Sequence, residues 1–222
     1  MADRWLFFLT GEMMIDFYPD KPMTADPSHL VNWELTHEYF CQQKLDGWRC
    51  LAVKEEKKIK YFSRHGKNLT AEIDPFLREE VKRLLEPFSD IVLDGEWLAR
   101  RSCSVQYSLL ERLVFFDLLR MRGNWWFNKS YQDRWFQLKV LWFGNNFRRI
   151  DYSETVEKDF LSFFEAQKKI PYSEGVVVKH KNSLWKAGRK GSVDNPLWFK
   201  CRWRGGVSGE ADLSATQAIK GR

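Results

Sequence analysis

The sequence has little that would tie it to a membrane or to an oxidising compartment. Its four cysteines (Cys41, Cys50, Cys103 and Cys201) are scattered without a C-x-x-C pair, so they suggest neither a zinc site nor a secreted disulfide framework. The four histidines are equally dispersed. The apolar patch Trp5–Leu9 is too short to cross a bilayer, and Asp3 and Arg4 precede it, which makes it a poor signal peptide. No internal repeat and no long linker interrupts the chain. These absences lead us to expect an intracellular protein (cytoplasmic, nuclear or virus-encoded, not secreted) with no membrane association.

What is present is the material of a folded domain. The 222 residues can bury a full core. Hydrophobic content of 44% with 30% charged residues excludes disorder of the whole chain. The 11 Trp and 17 Phe are unusual, and most must fill the core. The net charge of +6 is uneven. Lys179–Arg204 holds eight Lys/Arg and one Asp, which leaves the remainder near neutral. One basic segment on a neutral body suggests a polyanion site, although a charge run is also an ordinary solvated face.

Hydrophobic patterning predicts strands at Cys41–Val53 and Lys58–Arg64, joined by a charged turn at Glu55–Lys57. Residues Glu72–Phe88 place Ile73, Phe76, Leu77, Val81, Leu84 and Leu85 on one helical face, with Pro75 near the start. Buried strands are expected at Ile91–Ala99, Leu113–Leu119, Gly175–His180 and Leu197–Trp203. Amphipathic helices are expected at Tyr131–Phe143 and Thr155–Lys169. Strands interleaved irregularly with helices indicate an α+β fold.

The sharpest chemistry lies in KLDGWR, Lys44–Arg49. A lysine at a strand end, beside a tight Asp-Gly turn, can be held rigidly against a bound phosphate. To attack phosphorus its amine must shed a proton from a reference pKa of roughly 10.4, a value that burial and cationic neighbours lower. Gly47 permits the turn, and Arg49 offers a fork of donors for sugar or phosphate oxygens. A plain hairpin with a surface lysine fits the hexapeptide equally well. Phe116 and the Gly175–Val178 strand are suitable apolar faces for a flat purine. Glu96 and Glu174 adjoin apolar strands, where a carboxylate needs a magnesium ion or an ion pair to justify it. Asp46 and Asp117 are expected to make turn and strand-end hydrogen bonds.

Six segments in order decide between these alternatives. KLDGWR is followed by SRHGK (Ser63–Lys67), LDGEW (Leu93–Trp97), VFFDLL (Val114–Leu119), EGVVVK (Glu174–Lys179) and WFKCRW (Trp198–Trp203). The series resembles the motifs of the covalent nucleotidyltransferases, a superfamily of ATP-dependent DNA ligases, RNA ligases and mRNA capping enzymes. The match is closest to the DNA ligases. PMTA at Pro22–Ala25 is similar to the segment that precedes their adenylation domain.

The resemblance implies a ligase-type, ATP-grasp-like domain of antiparallel sheets flanked by helices at residues 22–204. An N-terminal extension would occupy 1–21 and a flexible tail 205–222. It makes Lys44 the nucleophile that carries AMP and sets Gln42 beside the adenine N6 edge. Arg49 and Arg64 would contact ribose or phosphate, and Glu96 a ribose hydroxyl or metal-bound water. Phe116 and Val177 would sandwich the base. Glu174 would be the main carboxylate for Mg²⁺ or Mn²⁺. Lys200, with Lys179 nearby, would neutralise the α-phosphate against a wall built partly by Trp198. The implied activity is ATP-dependent sealing of 5′-phosphate and 3′-hydroxyl breaks, with nicked duplex DNA as partner and a monomeric enzyme.

Two departures stand out. Arg202 replaces the second lysine of the family's Lys-x-Lys, which keeps charge but changes geometry. The OB-fold barrel that follows in the family is not expected in the residues after Arg202. An excised domain, a minimal enzyme, or an adenylation subunit with its barrel supplied in trans would each account for that. RNA ligation and RNA-capping guanylyl transfer are the alternatives within the chemistry, and Glu174 stands where capping enzymes more often place Asp. An idle nucleic-acid-binding scaffold is the alternative outside it.

Overall fold

The computed structural model describes residues 6–9, 12–15, 17–99, 111–188 and 191–203. Short strands β1 (Leu6–Leu9) and β2 (Glu12–Ile15) form an antiparallel pair. They are followed by β3 (Lys21–Thr24), a 3₁₀ turn at Pro27–His29 and α1 (Leu30–Leu35). Next come β4 (Tyr39–Leu45), β5 (Trp48–Glu55), β6 (Lys58–Ser63), α2 (Pro75–Leu85), β7 (Asp90–Leu98) and β8 (Arg112–Met121). The chain continues through β9 (Asn124–Trp125), α3 (Tyr131–Val140), β10 (Ile150–Tyr152), β11 (Thr155–Val156), α4 (Phe160–Gln167), β12 (Ser173–His180) and β13 (Asp194–Arg202). The expected tail at 205–222 lies outside the described residues, as do Arg189, Lys190 and Arg204 of the basic segment.

Most strands belong to two facing sheets. One runs β10-β8-β7-β5-β6 with β9 beside β8, and the other runs β11-β4-β12-β13-β3. Pairing is antiparallel except where β10 meets β8 and β13 meets β3. Strand alternation explains the layers, because successive side chains point to opposite faces. Cys50, Ala52, Ile91 and Leu93 meet the α2 face of Leu77, Val81, Leu84 and Leu85 on the outside of the first sheet. Cys41, Val176, Val178 and Cys201 meet Leu30 of α1 and Phe160, Phe163 and Phe164 of α4 outside the second. Between the sheets, Phe40, Leu51, Val53, Val92, Leu119 and Trp198 form the inner core with Tyr131 and Trp135 of α3. Phe17 and Asp20, ahead of β3, are also buried in this body.

Among the described residues, two places step from one sheet to the other. The predicted strand Cys41–Val53 is in fact two strands, broken at Asp46-Gly47, with β4 in one sheet and β5 in the other. This excludes the plain hairpin reading of KLDGWR. The second step runs from β10 to β11, so Ile150–Val156 stitches β8 to β4. The expected helix Thr155–Lys169 is correspondingly shortened. Its first two residues form an edge strand, and the helix begins only after Asp159, which takes a left-handed φ of 60°. The Glu72–Phe88 helix narrows to Pro75–Leu85, capped by the Asp74 carboxylate, which accepts from the amides of Phe76 (2.8 Å) and Leu77 (3.3 Å). Phe76 is exposed rather than in the core, with the Arg149 guanidinium over its ring.

Candidate active site

The facing sheets leave a cleft of about 510 Å³, lined by all twelve of the candidate site residues. Register explains half of this convergence. On the second sheet Val177 pairs with both Gln42 and Lys200, Gly175 with Lys44 and Arg202, and Lys179 with Trp198. With a side-chain period of two, Gln42 and Lys44, Val177 and Lys179, and Trp198, Lys200 and Arg202 all share one face. The opposite wall comes from the first sheet, where Arg49 pairs directly with Glu96. Phe116 reaches the cleft through an irregularity. Asp94 and Gly95 pair with Asp117 and Phe115, which leaves Phe116 as the extra residue of a bulge. Phe115 can therefore stay in the outer core while Phe116 turns to the cleft.

The Lys44 ammonium contacts the Glu174 carboxylate, and Arg202 donates to the same Oε1 at 3.2 Å. Gly175 has φ +149°, and a Cβ there would lie 1.9 Å from the Cys201 carbonyl oxygen. Only glycine lets β12 approach β13 closely enough to seat Glu174 beside Lys44. Arg49 forms a two-pronged ion pair with buried Asp94 and also donates to the Asp20 carbonyl, while its guanidinium sits 5.4 Å from the Phe116 ring centre. Arg64 donates to Ser192 Oγ at 2.8 Å at the cleft rim.

The electrostatics are those of a desolvated charge cluster. Burial pushes the Glu96 carboxyl up to about 7, against the pull of Lys44 and Arg49. Burial likewise lifts Asp20 to about 7, despite Arg49 and a 2.8 Å bond from Asn195. It drives the Lys179 ammonium down to about 8, with Asp117 opposing. Lys179 Nζ is buried with no hydrogen-bond partner among the described residues and lies 4.4 Å from the Tyr131 and Trp198 rings and 5.0 Å from that of Phe116. Lys200 is lowered by desolvation and by its cationic neighbours Arg202, Lys44 and Lys21.

Sequence reasoning missed several contributors. Lys21, Pro22, Trp48 and His65 also line the cleft. Asp117 is not a strand-end hydrogen-bonder; it is fully buried in a two-pronged ion pair with Arg134 at 2.8 and 3.0 Å. No local signal pairs residues 17 apart on different elements. The basic segment is divided as well. Lys179, Lys200 and Arg202 turn into the cleft, whereas Lys181 pairs with Glu157 at 3.0 Å.

Among the described residues no group of three or more His, Cys, Asp or Glu is arranged to hold a metal by itself. Glu96 and Glu174 are carboxylates of the cleft that could hold a hard divalent cation, which would need phosphate oxygens and water to complete its shell. Both line the cleft, and the charge of Glu174 adds to the upward shift of Glu96, which a cation between them would relieve.

Residues 22–112 match the family model described as ATP dependent DNA ligase domain. The multifunctional non-homologous end joining proteins LigD of Mycobacterium bovis and Mycobacterium tuberculosis are 28% identical to this chain, across 85% of it and 26% of their own length. The chain therefore spans about a quarter of the length of these relatives. Among solved structures, mycobacterial DNA ligase D complexed with ATP and MES shares 22% identity at a TM-score of 0.66, covering 84% of this chain and 60% of that one. The ligase domain of Mycobacterium tuberculosis LigD gives 20% and 0.64 over the same shares. No helix among the described residues is long and apolar enough to cross a membrane.

Proposed function

We propose that this chain, which carries an ATP-dependent DNA ligase domain, captures AMP from ATP on Lys44 and uses it to seal 5′-phosphate/3′-hydroxyl breaks in duplex DNA. The observation that carries the reading is the placement of Lys44. It lies near the end of β4 in contact with Glu174, in a cleft that Phe116, Val177, Lys200 and Arg202 also line.

The purine lies in the slot with its phosphates extended towards Lys44, and Arg49 and Arg64 face the sugar and phosphate oxygens. Lys44 Nζ attacks the α-phosphorus: the N–P bond forms, the α–β phosphoanhydride bond breaks, and pyrophosphate leaves. Glu174, in contact with Lys44, orients the amine in the cleft before it attacks. Lys200 and Arg202 meet the charge that develops on the phosphoryl oxygens. Glu96 and Glu174 would hold a magnesium or manganese ion, which supplies further neutralisation of phosphate charge when bound. AMP then passes to the 5′-phosphate of a nick, and the 3′-hydroxyl displaces it.

The test is label transfer. Incubation with α-labelled ATP and magnesium should leave label on denatured wild-type protein, stable to alkali and released by acid as a lysine phosphoramidate requires, and none on Lys44→Ala, while α-labelled GTP should give little. Absence of label from wild-type protein would remove the covalent reading. Sealing of pre-adenylated nicked DNA, compared with RNA and hybrid duplexes, then separates charging from joining and identifies the polynucleotide.

A further inference from the structure

The end wall of the base slot carries a hydrogen-bond chain whose direction is determined by its own acceptors. Gln42 is almost wholly buried on β4, level with Val177 on one side and Thr155 on the other. Its Nε2 lies 3.3 Å from Thr155 Oγ1 and 3.5 Å from the Phe116 carbonyl oxygen. The Thr155 hydroxyl donates its one proton to the Ser153 carbonyl at 3.0 Å, so towards Gln42 it can only accept. The Phe116 carbonyl also only accepts. Both neighbours therefore demand the NH₂ end of the Gln42 amide, and a flipped amide would set oxygen against oxygen at both contacts. The Gln42 amide also interacts with the buried Tyr131 side chain, and with Nε2 turned to the Thr155 and Phe116 oxygens its Oε1 is the atom available to the cleft.

The strip that carries Thr155 is itself held from both sides. Ser153 donates its amide to the Phe115 carbonyl at 2.7 Å, and Gln43 donates its own to the Glu154 carbonyl at 2.8 Å. Ser153 Oγ also donates to the Gln43 carbonyl at 3.2 Å. This is the stitch between the two sheets, so Thr155 has little freedom to re-aim.

We propose that Thr155 is a positioning residue for base selection: it holds the Gln42 amide so that the slot presents an acceptor and favours a purine with an exocyclic amine at that edge. The inference rests on the nucleotide reading above. A base stacked between Phe116 and Val177 meets Gln42 edge-on, and an amino group there gains a bond. A carbonyl or a bare C–H leaves Oε1 unpaired in a dry site. A residue remote from the reacting atoms thereby acts on substrate choice through another side chain.

The experiment compares ATP with purine riboside triphosphate, which lacks only the exocyclic amine. Intact-protein mass spectrometry reads the initial rate of adduct formation with magnesium for wild type, Thr155→Val and Thr155→Ser. Thr155→Ala supplies the same reading if the valine protein does not fold. The wild type is expected to prefer ATP, Thr155→Val to narrow that preference by roughly three- to tenfold, and Thr155→Ser to retain it. An unchanged preference in Thr155→Val, equal narrowing in Thr155→Ser, or no preference in the wild type would each overturn the proposal while leaving the AMP adduct intact. No adduct on wild-type protein with either nucleotide would instead overturn the functional reading, and this inference with it.

Discussion

Glu96 carries a cost that the cleft imposes on a single side chain. Its folded pKa of about 7 stands above the ordinary 4.5, so the folded state holds the proton more tightly. Between those values the folded protein binds more protons than the unfolded chain, and stability falls as pH rises. The penalty is absent below about pH 4.5 and fully present above about pH 7. Glu96→Gln removes the charge and should therefore be more stable than wild type at pH 8, by no more than about 3 kcal/mol, with the gap closing towards pH 5. Urea melts at the two pH values measure this, and a gap independent of pH would contradict it. Lys179 titrates with the opposite sign of charge: its depressed pKa means its cost is present below about pH 8 and is relieved as pH rises towards its ordinary value. At this scale the sequence was informative. Eleven of the twelve candidate side chains fall in the six motif segments and Gln42 stands two residues ahead of the first, because motif chemistry is local. Asp117 was misjudged because its partner Arg134 lies on a separate helix, and nothing local distinguishes a buried aspartate from a strand-end one.

Gly175 shows how one position constrains two strands. A side chain at φ +149° is strained, and the Cys201 carbonyl already occupies the Cβ position. Gly175→Ala should cost roughly 2–4 kcal/mol in urea unfolding and should separate Glu174 from Lys44, so adenylation falls together with stability. A variant with wild-type melting would show that β12 can shift without penalty. The helix α2 was legible because its signals agree: Asp74 as cap, Pro75 at the first position and a 3.6-residue apolar period. Phe76 escaped the core because it falls just off that stripe, beside the helix start. The stretch from Thr155 misled because its apolar residues continue the spacing of α4, while Thr155-Val156 are β-branched and complete the edge of β4. The Phe116 bulge had no local signal, since it arises from how β7 and β8 pair.

For the whole molecule, the site belongs to neither sheet. Lys44, Val177 and Lys200 come from one, and Arg49, Glu96 and Phe116 from the other, with Asp46-Gly47 and the Ser153 region carrying the chain between them. A bound nucleotide should clamp the two sheets together. With a saturating ATP analogue that cannot lose pyrophosphate, amide exchange should slow in β4 and β12 and also in β5 and β7. At a ligand concentration about 100 times Kd, the stabilisation should be about 2.7 kcal/mol. Protection confined to one sheet would place the ligand outside the cleft.

Residue order alone tells which side chains are available and which of them share a face. Strand alternation aligns Gln42 with Lys44, Val177 with Lys179, and Trp198 with Lys200 and Arg202 whatever the fold does. Folding adds that these three strands lie side by side, that Arg49 and Glu96 face them from a second sheet, and that Thr155 meets Gln42. The pairings of Gln42 with Val177 and with Thr155 join residues more than a hundred positions apart, and pairing register at that separation is set by burial of both sheets' inner faces, a global balance that no short window of sequence contains.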